Sequence, residues 1–200
     1  HYKTEILRGV DTYWLSEPLR TAVTHRHSLT MEGGDEALRY NLGINYSREP
    51  GVMKESGRNT MGLNLSLQYR RKKWNIQNQL SLTNVRGDNS PYGSFSQYTR
   101  LNPYYRKTDE YGRYTSFLDR KLLPGEGGGT ETIVNPLYNL LWKYKDFTEN
   151  FSVVDNFTIE CAIRDNFRVS MGASITKGTS RMEKFKSMNH TDFILSLIHI

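Results

Sequence analysis

A single cysteine in 200 residues excludes an intrachain disulfide framework and any zinc site built on thiolates. No apolar run reaches the roughly 18 residues that a membrane-spanning helix needs, so a helical span is excluded. A membrane β-barrel is not excluded, because its strands carry no helix-length apolar run. Apolar residues are scarce at 36%, few for a domain that encloses a full core of its own. No Met and no signal segment precede His1, which reads as a processed chain or an excised fragment. The positive excess of +6, from 27 Lys+Arg against 21 Asp+Glu, is modest and argues against nucleic acid as a partner.

What the chain has in plenty is alternation with a period of two. In 38–47, Leu38, Tyr40, Leu42, Ile44 and Tyr46 alternate with Arg39, Asn41, Gly43, Asn45 and Ser47. In 60–69, Met61, Leu63, Leu65, Leu67 and Tyr69 alternate with Thr60, Gly62, Asn64, Ser66 and Gln68. Segments 74–83, 151–163 and 167–176 follow the same rule, with Asn78, Val154 and Asp155 against it. A weaker sixth segment, 23–32, places His25 and His27 on its apolar side. Strands of about ten residues are long for a globular protein, where five or six is usual, and suit a tilted bilayer crossing. The polar sides hold Asn, Gln, Ser, Thr, Gly and Arg, which suit a wet lumen.

The connections alternate too. Gly33–Ala37, Arg70–Lys73 and Arg164–Asn166 are hairpin turns, whereas 48–59, 84–150 and the stretch after 176 are long. Short turns on one side and long loops on the other form the layout of an outer-membrane barrel, with the short side periplasmic. A connection of roughly 65 residues inside a small soluble domain would be odd. The predicted fold is all-β: six long amphipathic strands of an antiparallel transmembrane barrel, forming an open curved sheet in this chain. Residues 1–22 lead into the barrel, 23–176 hold its strands, and 177–200 begin a further loop or strand.

Few residues carry chemistry. The long loop is nearly neutral and rich in rings, among them Tyr92, Tyr98, Tyr104, Tyr105, Tyr111 and Tyr114, which suit stacking on sugars or contact with peptide. The bland alternative is that these rings pack the loop against itself or form an interfacial girdle. Arg70-Arg71-Lys72-Lys73 reads as a solvated turn. His25-x-His27 lacks a convincing third ligand, so no metal is expected. Gly125–Thr130 lacks the Gly-Lys-Ser/Thr ending of a phosphate loop and reads as flexible, and Arg86-Gly87-Asp88 is a short match with a high chance rate. The four glycosylation sequons fall mostly in strands and follow from composition. Cys161 sits on an apolar strand face, where packing is its default. No nucleophile–base pair is found, no cofactor is implied, and an enzyme is not expected.

The stretch Thr24-His25-Arg26-His27-Ser28-Leu29-Thr30-Met31-Glu32-Gly33-Gly34, followed by Tyr40 and Leu42-Gly43-Ile44-Asn45-Tyr46, resembles a barrel hairpin of SusC/RagA-type TonB-linked outer-membrane proteins. Asp11-Thr12-Tyr13-Trp14-Leu15 resembles the Asp-x-x-Trp segment that precedes it. Glu49-Pro50-Gly51-Val52, Asn102-Pro103-Tyr104-Tyr105, Asp109-Glu110-Tyr111-Gly112 and Asn135-Pro136-Leu137-Tyr138-Asn139 agree in order and spacing. The family's N-terminal carboxypeptidase-like domain, TonB-contacting segment and plug have no counterpart here. Residues 193–200 break the alternation, which raises the question whether they are native. The resemblance implies an internal fragment, six of about 22 strands, from an importer in the outer membrane of a Gram-negative bacterium. Its partners would be outer-membrane lipid, a SusD-like surface lipoprotein, TonB through regions absent here, and a glycan or peptide substrate. A soluble all-β carbohydrate-binding module is the alternative. The direction in which the apolar strand faces point separates the two.

Overall fold

The computed structural model describes residues 2–122 and 129–193. Its strands are β1 (His25–Gly34), β2 (Leu38–Pro50), β3 (Gly57–Arg71), β4 (Trp74–Asp88), β5 (Phe117–Leu122), β6 (Thr130–Val134), β7 (Tyr144–Arg164) and β8 (Phe167–Lys186). Six of them form one antiparallel sheet in the order β1-β2-β3-β4-β7-β8, and β5 pairs with β6. Two short helices, α1 (Tyr2–Leu7) and α2 (Phe95–Thr99), lie outside the sheet, and no helix among the described residues is long and apolar enough to cross a membrane. The Gly-rich stretch 125–128 and all but the first residue of 193–200 lie outside the described residues.

The register turns the alternation into two faces. Leu29, Ile44, Leu63, Leu82 and Val153 stand in one cross-strand row. Leu38, Tyr69, Ile76, Ile159 and Met171 stand in another, nearer the hairpin turns. From the row of Trp74 to the row of Asn84 the apolar band covers eleven residues of β4, a rise of ten residue steps. At about 3.4 Å per residue and a tilt near 40° that is a height of roughly 26 Å, close to the apolar band of a membrane barrel. Aromatic residues edge it: Tyr69 and Trp74 toward the turns, Tyr46 and Phe151 toward the other end. The opposite face is polar and bonded to itself. The Ser81 hydroxyl donates to Asn64 Oδ1 at 2.9 Å, the Ser174 hydroxyl to Asn156 Oδ1 at 2.6 Å, and the Gln68 amide to Asn75 Oδ1 at 3.1 Å.

Nothing among the described residues covers the apolar face. Met171 remains 68% exposed, Ile175 66% and Met61 60%. A sandwich would bury these side chains against a second sheet. The only other described sheet, β5–β6, contributes Leu118 and Ile133 to a separate cluster in the long connection. Among the described residues, no second sheet faces the apolar side as the sandwich of the soluble-module alternative requires. Two residues that break the alternation, Asn78 and Asp155, do lie on the apolar side. They meet there, with Asn78 Nδ2 donating to Asp155 Oδ1 at 2.6 Å, so each polar group has a partner in an apolar setting.

The turns sort by length. Arg70 N–H donates to the Ala37 carbonyl at 2.7 Å and Ala162 N–H to the Lys73 carbonyl at 2.8 Å, which ties the three short turns into one end of the sheet. The 51–56 turn and the long connection share the other end, where Asn89 N–H donates to the Asp146 carbonyl at 2.9 Å. Gly34 is required in the first turn. Its φ is +131°, and a Cβ there would lie 2.0 Å from the Leu38 carbonyl oxygen.

Boundaries differ from the sequence reading in three ways. Most of the strands are longer than ten residues, β7 reaching 21 and β8 20. The connections expected to be long accordingly shrink, from 48–59 to the turn 51–56 and from 84–150 to 89–143. Strand β8 runs through the expected break at 176 to Lys186. The cause is the same in each case: beyond the apolar band the strict alternation gives way to mostly polar and charged side chains, but the backbone ladder continues because a neighbour is there to pair with. Strands β1 and β8 each have one edge unpaired among the described residues. The isolated 200-residue chain is expected to aggregate in plain buffer and to become monodisperse only in detergent, by size exclusion with light scattering.

Candidate functional site

The main buried cluster among the described residues is outside the sheet, whereas Phe147 on β7 is buried by itself beneath Arg86, Lys145 and Arg181. The cluster lies at the long-loop end, where residues 10–20 fold against the 89–143 connection. Trp14, Tyr98, Tyr105 and Leu137 form its centre, each at most 2% exposed, with Leu15, Leu101 and Leu140 packed around them. Backbone and side-chain bonds lash the N-terminal segment to the connection. Thr12 N–H donates to the Pro103 carbonyl at 2.8 Å, the Thr12 hydroxyl to the Tyr105 carbonyl at 3.0 Å, and Trp14 Nε1 to the Asn102 carbonyl at 3.1 Å. Two ion pairs add to this: Arg106 with Glu5, and Lys107 with Glu17 at 2.8 Å.

Asn135 shows how the connection is held from within. It is fully buried, its Oδ1 accepts from Leu137 N–H at 3.1 Å to cap the 3-10 turn Pro136–Leu141, and its Nδ2 donates to the Lys107 carbonyl at 2.9 Å. The chain after β8 returns to the same module. Thr191 N–H donates to Asn139 Oδ1 at 2.9 Å, and Asn139 Nδ2 donates to the Thr191 hydroxyl at 3.0 Å.

The six tyrosines singled out from the sequence divide by depth. Tyr98 and Tyr105 belong to the core, and the Tyr98 hydroxyl donates to the Tyr92 carbonyl at 2.9 Å. Burial pushes the Tyr98 phenol far above its ordinary range, and to a lesser degree that of Tyr92. Tyr92 and Tyr114 are half-buried against the core. Tyr104 is half-buried beside a shallow recess with Arg106 and Phe117. Tyr111 alone projects, 82% exposed, with the Arg113 guanidinium 5.1 Å from its ring centre. It sits on a tight turn in which the Asp109 carboxylate accepts from Arg113 and Tyr111 N–H groups. Those bonds, led by that from Arg113, hold the Asp109 carboxyl below its ordinary range.

A cleft of about 530 Å³ lies between the strand ends and the connection, and the sequence reading did not find it. Arg48, Arg58, Arg86 and Lys145 line it with Glu49, Glu55, Asp88 and Asp146, and Tyr92, Trp142 and Tyr144 supply rings. Burial, with Asp146 alongside, pushes the Tyr144 hydroxyl up to about 12. Arg86 and Asp88 pair at 3.1 Å, so the Arg-Gly-Asp match is a strand end closed on itself. The only sequence signal for this cleft was the change from apolar to charged residues at positions 48, 86 and 145. His25 and His27 stand exposed on β1, opposite Arg48 and Tyr46, and no three His, Cys, Asp or Glu side chains among the described residues come together as metal ligands.

No protein-family model matches the chain, and no curated protein matches it. Its fold does match solved structures. One chain of the RagAB peptide importer in its closed-closed state aligns over 90% of this chain with a TM-score of 0.65 at 16% identity. A chain of the RagAB peptide transporter aligns over 85% with a TM-score of 0.58 at 18% identity. The aligned part is 20% and 19% of those chains, so the present chain spans about a fifth of the proteins it resembles. At these identities the likeness is one of fold, and it agrees with the resemblance carried by residues 11–180.

Proposed function

We propose that this chain forms part of the wall and of the outer mouth of an outer-membrane importer, which takes up peptides or oligosaccharides with a surface lipoprotein partner and draws its energy through TonB. The observation that carries this reading is the sheet itself. One face is apolar, uncovered among the described residues and about as tall as a bilayer's apolar layer, the other is polar, and the longer connections gather at one end. The fold neighbours are described as a peptide importer and transporter, so peptide is the first substrate class to test.

In this reading no bond of the substrate is broken by the chain. Residues 25–186 supply six strands whose Asn, Gln, Ser and Thr side chains keep a lumen hydrated. Residues 2–20 and 89–143 form a folded external module, from which Tyr111 and Tyr104 offer rings to the incoming substrate. Tyr98 and Tyr105 hold that module together. In this reading TonB and the surface lipoprotein are separate partner proteins, and this chain supplies six strands of the wall.

The test is uptake by cells carrying or lacking the complete protein, with labelled peptides and labelled oligosaccharides supplied separately. Loss of peptide uptake on deletion, restored by the complete gene, is the expected result. Loss of oligosaccharide uptake alone selects the second substrate class, and unchanged uptake of both overturns the importer reading.

A further inference from the structure

At the short-turn end, the outward face carries a groove of about 520 Å³ lined by Tyr69, Arg71, Lys72, Trp74, Ile76 and Ile159. The register explains why these six meet. Arg71 pairs with Trp74, Tyr69 with Ile76, and Ile76 with Ile159, so the lining side chains of three adjacent strands share one face. Tyr69, Trp74, Ile76 and Ile159 make an apolar floor. Lys72, in the left-handed conformation at φ 54°, turns the chain back, and Arg71 and Lys72 stand together at the rim on the side of the turn. Neither cation has a hydrogen-bond or ion-pair partner among the described residues, whereas Lys73 beside them donates to the Ile163 carbonyl at 3.3 Å.

We infer that this groove is a binding site for one anionic phospholipid of the periplasmic leaflet. The inference rests on the reading that the outward face meets the membrane. The floor lies at the lower edge of the apolar band, where an acyl chain ends and a headgroup begins. Aromatic side chains suit that level, with the ring in hydrocarbon and the polar edge in the headgroup layer. Two unpaired cations directly above an apolar slot match a phosphate attached to acyl chains, and a basic pocket at a membrane edge is the usual form of an anionic-lipid site. A soluble acidic partner would match the cations but would leave Trp74, which is 49% exposed, and Ile76 without a complement. A zwitterionic lipid would match the floor but leave the excess positive charge unbalanced.

The experiment is native mass spectrometry of the complete detergent-solubilised protein titrated with phosphatidylglycerol, phosphatidylethanolamine, inorganic phosphate or an acidic peptide. One phosphatidylglycerol is expected to bind more tightly than phosphatidylethanolamine, by about five-fold for each rim cation. Arg71→Ala with Lys72→Ala should erase that preference, and Trp74→Ala should weaken both lipids together. Arg70→Ala, one position away and on the opposite face, should leave the preference intact. Equal binding of the two lipids, a preference that survives the double substitution, or binding of phosphate or acidic peptide in place of lipid overturns the proposal. The membrane reading is tested separately by arginine substitutions at positions 65 and 66. Its success there with failure here would remove the lipid site alone.

Discussion

Leu65→Arg in the complete protein is expected to prevent assembly into the outer membrane, while Ser66→Arg, one residue away, assembles. Leu65 sits in the middle of the apolar band, between Leu42 on β2 and Leu80 on β4. An arginine there meets hydrocarbon near mid-membrane, at a cost of about 2–4 kcal/mol. That is a large part of the stability of an ordinary domain. Ser66 sits between Asn41 and Gln79, on the face where Ser81 and Asn64, and Ser174 and Asn156, bond to one another. A guanidinium on that face remains solvated, so folding proceeds, although a long side chain narrows the lumen. The measurement is heat-modifiable gel mobility together with surface yield. Because side chains alternate strictly, a slip of one residue exchanges every member of the two faces. If Ser66→Arg proved the more damaging, the assignment of faces and the membrane reading with it would be abandoned.

The sheet was legible because its determinants are local and periodic. Segments 38–47 and 60–69 alternate without an error, and the pairs Leu42 with Leu65 and Ile44 with Leu63 then follow from the hairpin. The turns were legible for the same reason: Gly34 marks a place where the backbone admits no Cβ. Strand ends were not, since Arg86 and Asp88, or Lys145 and Glu183, look like loop residues until a neighbouring strand pairs with them. The loop module was illegible in a deeper sense. Its core joins Trp14 to Tyr98, Tyr105 and Leu137, positions far apart in sequence with no shared period. Composition alone could not tell Tyr98, held inside, from Tyr111, held out. The lipid groove falls between these cases. Tyr69-Arg70-Arg71-Lys72-Lys73-Trp74 displays its rings and cations openly, but only the register shows that Ile159 from β7 completes the floor.

Tyr98→Ala is expected to open the external module and leave the sheet standing. The ring is fully buried among Trp14, Tyr105 and Leu137, and its hydroxyl donates to the Tyr92 carbonyl. Removing it leaves a cavity and an unpaired carbonyl, a loss of about 3–5 kcal/mol by the usual cost of large-to-small core substitution. Four described residues form the buried centre of the module, so losing one of them removes a large share of the burial that holds it. The ladder of β1 to β4, β7 and β8 does not depend on it, since those strands are held by each other. Limited proteolysis from outside the cell should therefore nick the variant within 89–143 while its heat-modifiable mobility matches the parent protein. Tyr98→Phe keeps the ring and drops only the hydroxyl, at about 1 kcal/mol, and should resist the protease nearly as well as the parent. Tyr111→Ala, at an exposed ring, should resist it fully. Were Tyr111→Ala nicked as readily as Tyr98→Ala, the division of the tyrosines into those that hold the module and those that face the substrate would not stand. A Tyr98→Ala protein that lost its barrel mobility as well would show that loop and wall fold as one unit.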